Sequence, residues 1–344
     1  MAKNPVIINA VVGSAHGGMA IMYERYAALF SELGYDVINV GLGQSSSGLC
    51  FDATIRSSGH FDPFARLRVR RLVSETGAIA AFCHCSRSVA AFSWSNRSCA
   101  VVGVPHSLKI SRFLRADRCI AISPVVEGVF LSEGFSAEHI AVIPNSVGDA
   151  HLVSDHGRFM QGKERLAIGY IGRLETGKGI ELLPEVLNLL IKKGIPVHAL
   201  IAGAGPEEQQ LKKKFQAMSL QEHVTFLGWI NDKESFYDEI DVLVFPTLHE
   251  VMPLAIIEAF AYDVAVVTSQ YGGFCEPFED KVNLVVVPDR KASSWADAVT
   301  ELVENHERAE DMLRNARRCY EEVFSTATIK KKMTAALVRW GVSE

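Results

Sequence analysis

The chain has 344 residues, enough for two domains, and its 48% hydrophobic and 22% charged content is that of an ordinary globular protein with a large core. Its 26 glycines and 12 prolines are near average usage and dispersed, which excludes collagen-like, mucin-like and broadly disordered chains. A net charge of -5, from 35 basic and 40 acidic residues, excludes a protein that coats nucleic acid by charge alone. The balance is uneven, with 14 Lys and Arg against 12 Asp and Glu in residues 1-160 and 21 against 28 in residues 161-344.

In chain order, a β-branched apolar run at 6-12 ends in GSAHGG and leads into an amphipathic stretch over about 19-33 that closes at Gly34, which reads as strand, glycine loop, helix. A strand over 35-40 follows. Short apolar runs at 78-83, 99-104, 118-122 and 140-143 then alternate with helical patterns, the signature of βαβ units on a parallel sheet. Periodicity is lost over about 147-164, the expected linker. A second series begins with LAIGYIG at 166-172 and a helix over about 180-192, then VHALIAG at 197-203 and a helix over about 207-218. The runs VTFLG, DVLVFP, AVVTS and LVVVP complete it. The expected architecture is therefore α/β, with two Rossmann-like domains, and ligands beyond the carboxyl ends of the strands.

Three strand-to-helix loops carry residues with chemistry. In the first, Gly17 and Gly18 sit at a helix N-terminus that favours an anion, but Ala15 breaks the dinucleotide fingerprint; a tight turn without ligand is the plain alternative. In the second, Arg173 at a strand end and Lys178 at a helix entry can converge on a diphosphate, unless both are merely solvated cations. The third is HEVMPLAIIEAF. From 253 to 261 every helix direction is apolar except Glu258, so that carboxylate is expected to be buried and to need a partner: ribose hydroxyls, an Arg or a backbone cap. Glu250 lies just before that helix, where a helix-entry acid is also favoured by the dipole.

The Glu250/Glu258 pair in HEVMPLAIIEAF, the GRLETGKG loop, the IAGAGPEEQQL turn and VIPNSV before the linker together resemble the retaining GT-B glycosyltransferases of family four, over nearly the whole chain. The resemblance implies a GT-B fold with a cleft between an N-terminal acceptor-side domain (1-160) and a C-terminal nucleotide-sugar domain (161-325). A C-terminal helix (326-344) would return toward the first domain. It also implies that Arg173 and Lys178 hold the diphosphate, that Glu258 binds the ribose, and that Glu250 with Val251, Met252, Pro253 and Leu254 meets the donor sugar. Gly17-Gly18 would close over phosphate or sugar, and base contacts are expected from the backbone near Gly228 and Trp229. His106 is similar to the N-domain histidine placed beside the transferred sugar, the alternative being an ordinary strand-end histidine; His84 resembles the histidine of the preceding strand. Val251, where many relatives have Gly, and Lys281 and Leu284 in EDKVNL depart from the family pattern at the sugar pocket.

The implied activity is transfer of a sugar from a nucleoside-diphosphate donor to a glycan or lipid-linked acceptor, with retention and without a metal, since no D-x-D occurs. No cofactor beyond the donor substrate and no nucleic-acid partner are expected. An inverting GT-B transferase, a sugar-nucleotide epimerase and a catalytically silent nucleotide-sugar binder are the rival readings. Seven scattered cysteines fit a reducing cytoplasm, and Cys83-His84-Cys85 has no second pair with which to bind zinc. The start MAKNPVIINAVVG lacks the features of a signal peptide, and no run approaches the ~18 apolar residues that span a bilayer. FARLRVRRLV (64-73) crowds four arginines among apolar residues. They fall on several sides of a helix, so a solvated helix with structural ion pairs is favoured there over peripheral contact with an anionic membrane.

Overall fold

The computed structural model describes residues 4-14, 17-44, 48-94, 98-148, 159-160 and 163-342. Ala15 and His16 of the glycine loop and most of the expected linker, 149-158 and 161-162, lie outside the described residues. The chain divides into two compact units, one of Met1-Gly148 with Thr326-Glu344 and one of Asp149-Ser325.

In the first unit the elements are β1 (Val6–Val12), α1 (Gly18–Glu32), β2 (Asp36–Leu42), β3 (Ala53–Ile55), α2 (Pro63–Thr76), β4 (Ala80–Cys83) and α3 (Ser86–Phe92). They are followed by β5 (Ala100–Gly103), β6 (Arg118–Ala121), α4 (Pro124–Ser132) and β7 (Ile140–Val142). All seven strands pair in parallel, in the order β3-β2-β1-β4-β5-β6-β7. The inner strands are buried on both faces, which is why they read as continuous apolar runs rather than alternating ones. Helix α1 buries Met22, Tyr23, Tyr26, Leu29 and Phe30, a stripe at helical spacing. Phe30 meets Phe82 of β4 with ring centroids 4.4 Å apart, and burying each such ring contributes ~1.5-3 kcal/mol.

The second unit runs β8 (Leu166–Ile171), α5 (Leu183–Lys192), β9 (Val197–Ala202), α6 (Glu208–Ala217), β10 (Val224–Gly228), α7 (Lys233–Glu239) and β11 (Val242–Phe245). It continues through α8 (Leu254–Ala261), β12 (Ala265–Ser269), β13 (Val285–Val287), α9 (Ala292–Glu304) and α10 (His306–Cys319). Its parallel sheet has the order β10-β9-β8-β11-β12-β13. Helices α5 and α9 pack together over it through Val186, Leu187, Leu190, Trp295 and Val299. The helix expected from about 180 begins later. A 3-10 turn occupies Ile180–Leu182, and the α-helix starts at Leu183 because Pro184, with no N–H, is tolerated only in a first turn.

The last helix, α11 (Thr326–Arg339), belongs to the first unit. It buries Ile329, Met333, Ala336 and Leu337. Lys330 pairs with Glu32 of α1 at 2.6 Å, Arg339 donates to the Ile140 carbonyl, and the Trp340 indole donates to the Glu138 carbonyl at 3.2 Å. Among the described residues no helix is long and apolar enough to cross a membrane.

Candidate functional site

Each sheet reverses its strand order once, between β1 and β4 in the first unit and between β8 and β11 in the second. In an open parallel sheet the crevice beyond the carboxyl ends at that reversal is where ligands bind. In the second unit the two loops at this point are 172-179, after β8, and 246-253, after β11. They contain Arg173, Lys178, Glu250, Val251, Met252 and Pro253.

These loops are held by backbone approach. The Leu248 amide donates to the Gly177 carbonyl at 2.9 Å and the Leu174 amide to the Ala204 carbonyl at 3.0 Å. Gly179 has φ 75°, and a Cβ there would run into the Pro246 carbonyl. Gly273 lies against the Glu250 carbonyl and would place a Cβ 2.8 Å from Val251 Cα. Neither glycine can become another residue without moving the loop that carries Glu250. The loop after β9 joins the group: the Gly203 amide donates to the Gly228 carbonyl at 2.6 Å, leaving the following Trp229 66% exposed.

Within this frame, Lys178 Nζ pairs with Glu250 Oε1 at 2.5 Å, and Arg173 pairs with Glu175 at 2.9 Å. Neither of the two residues expected at the diphosphate stands as a bare cation. Each is neutralised by a carboxylate, because two bare cations in one loop would repel and each finds an acid within reach. Val251, Met252 and Pro253 are buried, while Leu254 is half-buried at the start of α8. Pro253 is the N-cap of α8 and supplies no side-chain hydrogen bond, so the first N–H groups of that helix and its dipole favour a negative group.

Glu258 is buried on α8, as the apolar sequence around it requires. Its partners are neither an Arg nor a backbone cap. Lys233 Nζ pairs with Oε1, and the Tyr237 hydroxyl donates to Oε2 at 2.9 Å. Lys233 and Tyr237 stand one turn apart on α7, the i,i+4 spacing that places two side chains on one face. Burial, and then the Glu258 charge, push the Tyr237 hydroxyl pKa well above its ordinary value, so it remains a donor. Two further groups were not singled out from the sequence. Thr247 Oγ1 and the Tyr271 hydroxyl are buried and have no hydrogen-bond partner among the described residues.

The first unit holds Gly17, Gly18 and His106. Gly17 caps α1 without a side-chain hydrogen bond, and Gly18 is its exposed first residue. His106 lies beyond β5, with its Nε2 3.1 Å from Nδ1 of His84; His84 Nε2 is 2.9 Å from Asn9 Oδ1. Burial lowers the pKa of His106 to about 4; burial and the neighbouring His106 hold His84 well below the ordinary value. Cys83 is buried, and among the described residues no group of three or more His, Cys, Asp or Glu side chains is placed to hold a metal ion.

Residues 156-319, the greater part of the second unit, match the model of the family described as Glycosyl transferases group 1. The chain is 26% identical over 236 residues, 65% of its length, to the capsular polysaccharide biosynthesis glycosyltransferase CapM of Staphylococcus aureus, and 29% identical over 155 residues, 44% of its length, to the alpha-D-kanosaminyltransferase of Streptomyces kanamyceticus. The matched stretches span 62% and 40% of those two proteins. In fold it is similar to HepE of Anabaena, solved in complex with UDP, with a TM-score of 0.81 at 18% identity over 97% of this chain and 99% of that one. It is also similar to the lipopolysaccharide outer core galactosyltransferase WaaB, with a TM-score of 0.76 at 14% identity over the same shares. The fold is that of the GT-B glycosyltransferases, two Rossmann-like domains each built on a parallel sheet.

Proposed function

We propose that the protein is a retaining glycosyltransferase that takes its sugar from a nucleoside-diphosphate donor. The observation that carries this reading is the set of groups at the strand-order reversal of the second sheet: Arg173, the Lys178–Glu250 pair and the uncapped N-terminus of α8. A diphosphate arriving there exchanges the carboxylates on Arg173 and Lys178 for phosphate oxygens. The positive charge then stabilises the leaving group without calling on a metal. Glu250, released from Lys178, becomes free to accept from a sugar hydroxyl. Glu258 keeps Tyr237 and Lys233, and a carboxylate with about four lone-pair sites still has room for ribose hydroxyls.

In the transfer step the bond between the anomeric carbon and the diphosphate oxygen breaks. The acceptor oxygen bonds to that carbon on the same face, and the acceptor proton passes to the departing phosphate, so no protein nucleophile is required. Thermal shift against a panel of nucleoside diphosphates and their sugars identifies the donor, because a ligand of the native state raises stability. NMR of the product then reads the anomeric configuration. An inverted product overturns retention, and failure of every nucleotide to bind overturns the reading as a whole.

The same proposal places the protein in the cytoplasm, with its first unit on an anionic membrane face where lipid-linked acceptors are found. Four large apolar side chains, Phe61, Phe64, Leu67 and Trp94, are between 63% and 69% exposed. Cations lie among them: the Arg66 guanidinium is 4.8 Å from the Trp94 ring and 5.9 Å from that of Phe61, and Arg115 is 5.7 Å from Phe61. Aromatic rings with arginines suit a headgroup interface, each exposed cation adding ~1 kcal/mol. Flotation with phosphatidylglycerol vesicles should show binding that weakens with salt. Equal flotation with neutral vesicles, or none at low salt, removes the membrane claim and leaves the donor site untouched.

A further inference from the structure

We infer that Asn9 and His84 are positioning residues that fix His106 in its Nε2–H form, so that it offers the lone pair of Nδ1 to a ligand hydroxyl. Three neighbouring strands bring these residues together at the carboxyl end of the first sheet. Asn9 is on β1, and His84 follows β4 with its amide bound to the Ala10 carbonyl at 2.9 Å. His106 follows β5, which is tied to β4 there by the Val104 amide on the Cys83 carbonyl at 2.9 Å.

The proton positions follow from one end of the chain to the other. Asn9 Nδ2 lies 2.9 Å from the Tyr23 carbonyl, which can only accept, so the amide nitrogen faces Tyr23 and the amide oxygen faces His84. An amide oxygen only accepts, so His84 carries its proton on Nε2. A neutral His84 then has a lone pair at Nδ1, and His106 Nε2, 3.1 Å away, must be the donor. A neutral His106 is left with its lone pair on Nδ1, an atom without a hydrogen-bond partner among the described residues.

The ring geometry agrees. The two imidazoles are within 11° of parallel and their centroids are 5.3 Å apart. That separation is about the nitrogen–nitrogen distance plus a ring radius on each side, so the rings meet edge to edge in one plane rather than face to face. Tyr26 and Tyr23 stand nearly perpendicular to His84, at 89° and 85°, and keep its ring from turning. Burial, which lowers both pKa values, keeps the two rings neutral. A neutral edge that only accepts is matched by a hydroxyl and opposed by a carboxylate, which has no proton to share. This consequence for the ligand rests on the glycosyltransferase reading, whereas the proton assignment stands on the first unit alone.

The test is a long-range proton–nitrogen correlation on the full chain labelled with 15N-histidine, without substrate. In the wild type both His84 and His106 should show a protonated Nε2 and a bare Nδ1. His106 protonated at Nδ1, or with averaged nitrogens, overturns the proposal. Asn9→Leu removes the fixed acceptor, and the His106 nitrogens should then average or exchange roles. An unchanged His106 signature in a folded Asn9→Leu protein also overturns it, and if that variant does not fold the wild-type spectrum decides. For the ligand, turnover of a nucleoside-diphosphate hexose should exceed that of the matching hexuronate at least ~10-fold in kcat/KM, and the reverse preference overturns that part. Failure of all donors overturns the transferase reading while leaving the proton assignment standing.

Discussion

The carboxyl ends of the two sheets are built from opposite materials. At the end of the first, Asn9, His84 and His106 form a line of neutral groups, each satisfied by the next and each dependent on the direction of a single proton. At the end of the second, Lys178 with Glu250 is a charge pair whose partners are exchanged for those of a ligand in the proposed reaction, while Lys233 and Tyr237 stay on the buried Glu258. Neutral chains are directional and give orientation; ion pairs are strong, nondirectional at longer range and replaceable. In the function we propose, one end selects a hydroxyl and the other receives a diphosphate.

The contrast can be broken by experiment, and the largest effect is expected on the charged side. Lys178→Ala should lower kcat by ~10²-10³, the loss of one preorganised electrostatic donor. Arg173→Ala should cost less, since the Arg173 side chain is 49% exposed and solvent replaces part of its effect. Steady-state kinetics with circular dichroism to check folding decides this, and near wild-type turnover in both variants would remove the diphosphate assignment.

The neutral side should announce itself in the pH dependence of stability. His106 has a folded pKa of about 4 against an ordinary 6.5, so the unfolded chain binds the proton more readily in between. Stability is therefore complete above pH 6.5 and falls as pH drops toward 4, by on the order of 3 kcal/mol from this residue, with His84 acting in the same direction. Urea melts across that window in wild type and in His106→Gln measure the difference. Equal slopes in the two proteins would contradict the neutral assignment.

A smaller effect separates structure from binding at Glu258. Tyr237→Phe deletes a hydrogen bond to a buried charge and should cost ~1.5-3 kcal/mol of stability with a modest change in nucleotide affinity. Glu258→Gln should weaken nucleotide binding more than it lowers the melting temperature. Calorimetric titration beside thermal melts reads both, and unchanged affinity in Glu258→Gln would leave the carboxylate a purely structural role. The smallest expected effect is none: turnover should survive EDTA, and loss of activity restored by Mg2+ would show that the two cations are not sufficient.

The parallel sheets were legible because the buried strands are short, mainly apolar runs, some of them closed by glycine or proline, as VIINAVV is by Gly13 and DVLVF by Pro246. The burial of Glu258 was legible because every other direction around α8 is apolar. Its partners were not, since Lys233 and Tyr237 lie 25 and 21 residues away on α7 and meet it only through the packing of two elements. The Lys178–Glu250 pair spans 72 residues and was hidden for the same reason. His106 could be picked out by resemblance, but the line through His84 to Asn9 crosses three strands that are separated in sequence and adjacent only in the sheet. The arginine-rich segment shows a different limit. Its helix carries an Arg71–Glu75 ion pair, while the exposed Phe61 and Trp94 that give its surroundings character lie outside the segment.

The return of α11 to the first unit also bears on how the chain is made. A ribosome delivers everything up to Gly148, then the whole of the second unit, and only then the helix that covers the first with Ile329, Met333, Ala336 and Leu337. The second unit can finish folding from one uninterrupted stretch, while the first must wait, with apolar surface uncovered, for residues that begin at Thr326, 178 positions after its first stretch ends at Gly148. Nascent chains halted between these two points should therefore present a complete second unit beside an unfinished first one, and chaperones that recognise exposed apolar surface should be held there until the last helix emerges.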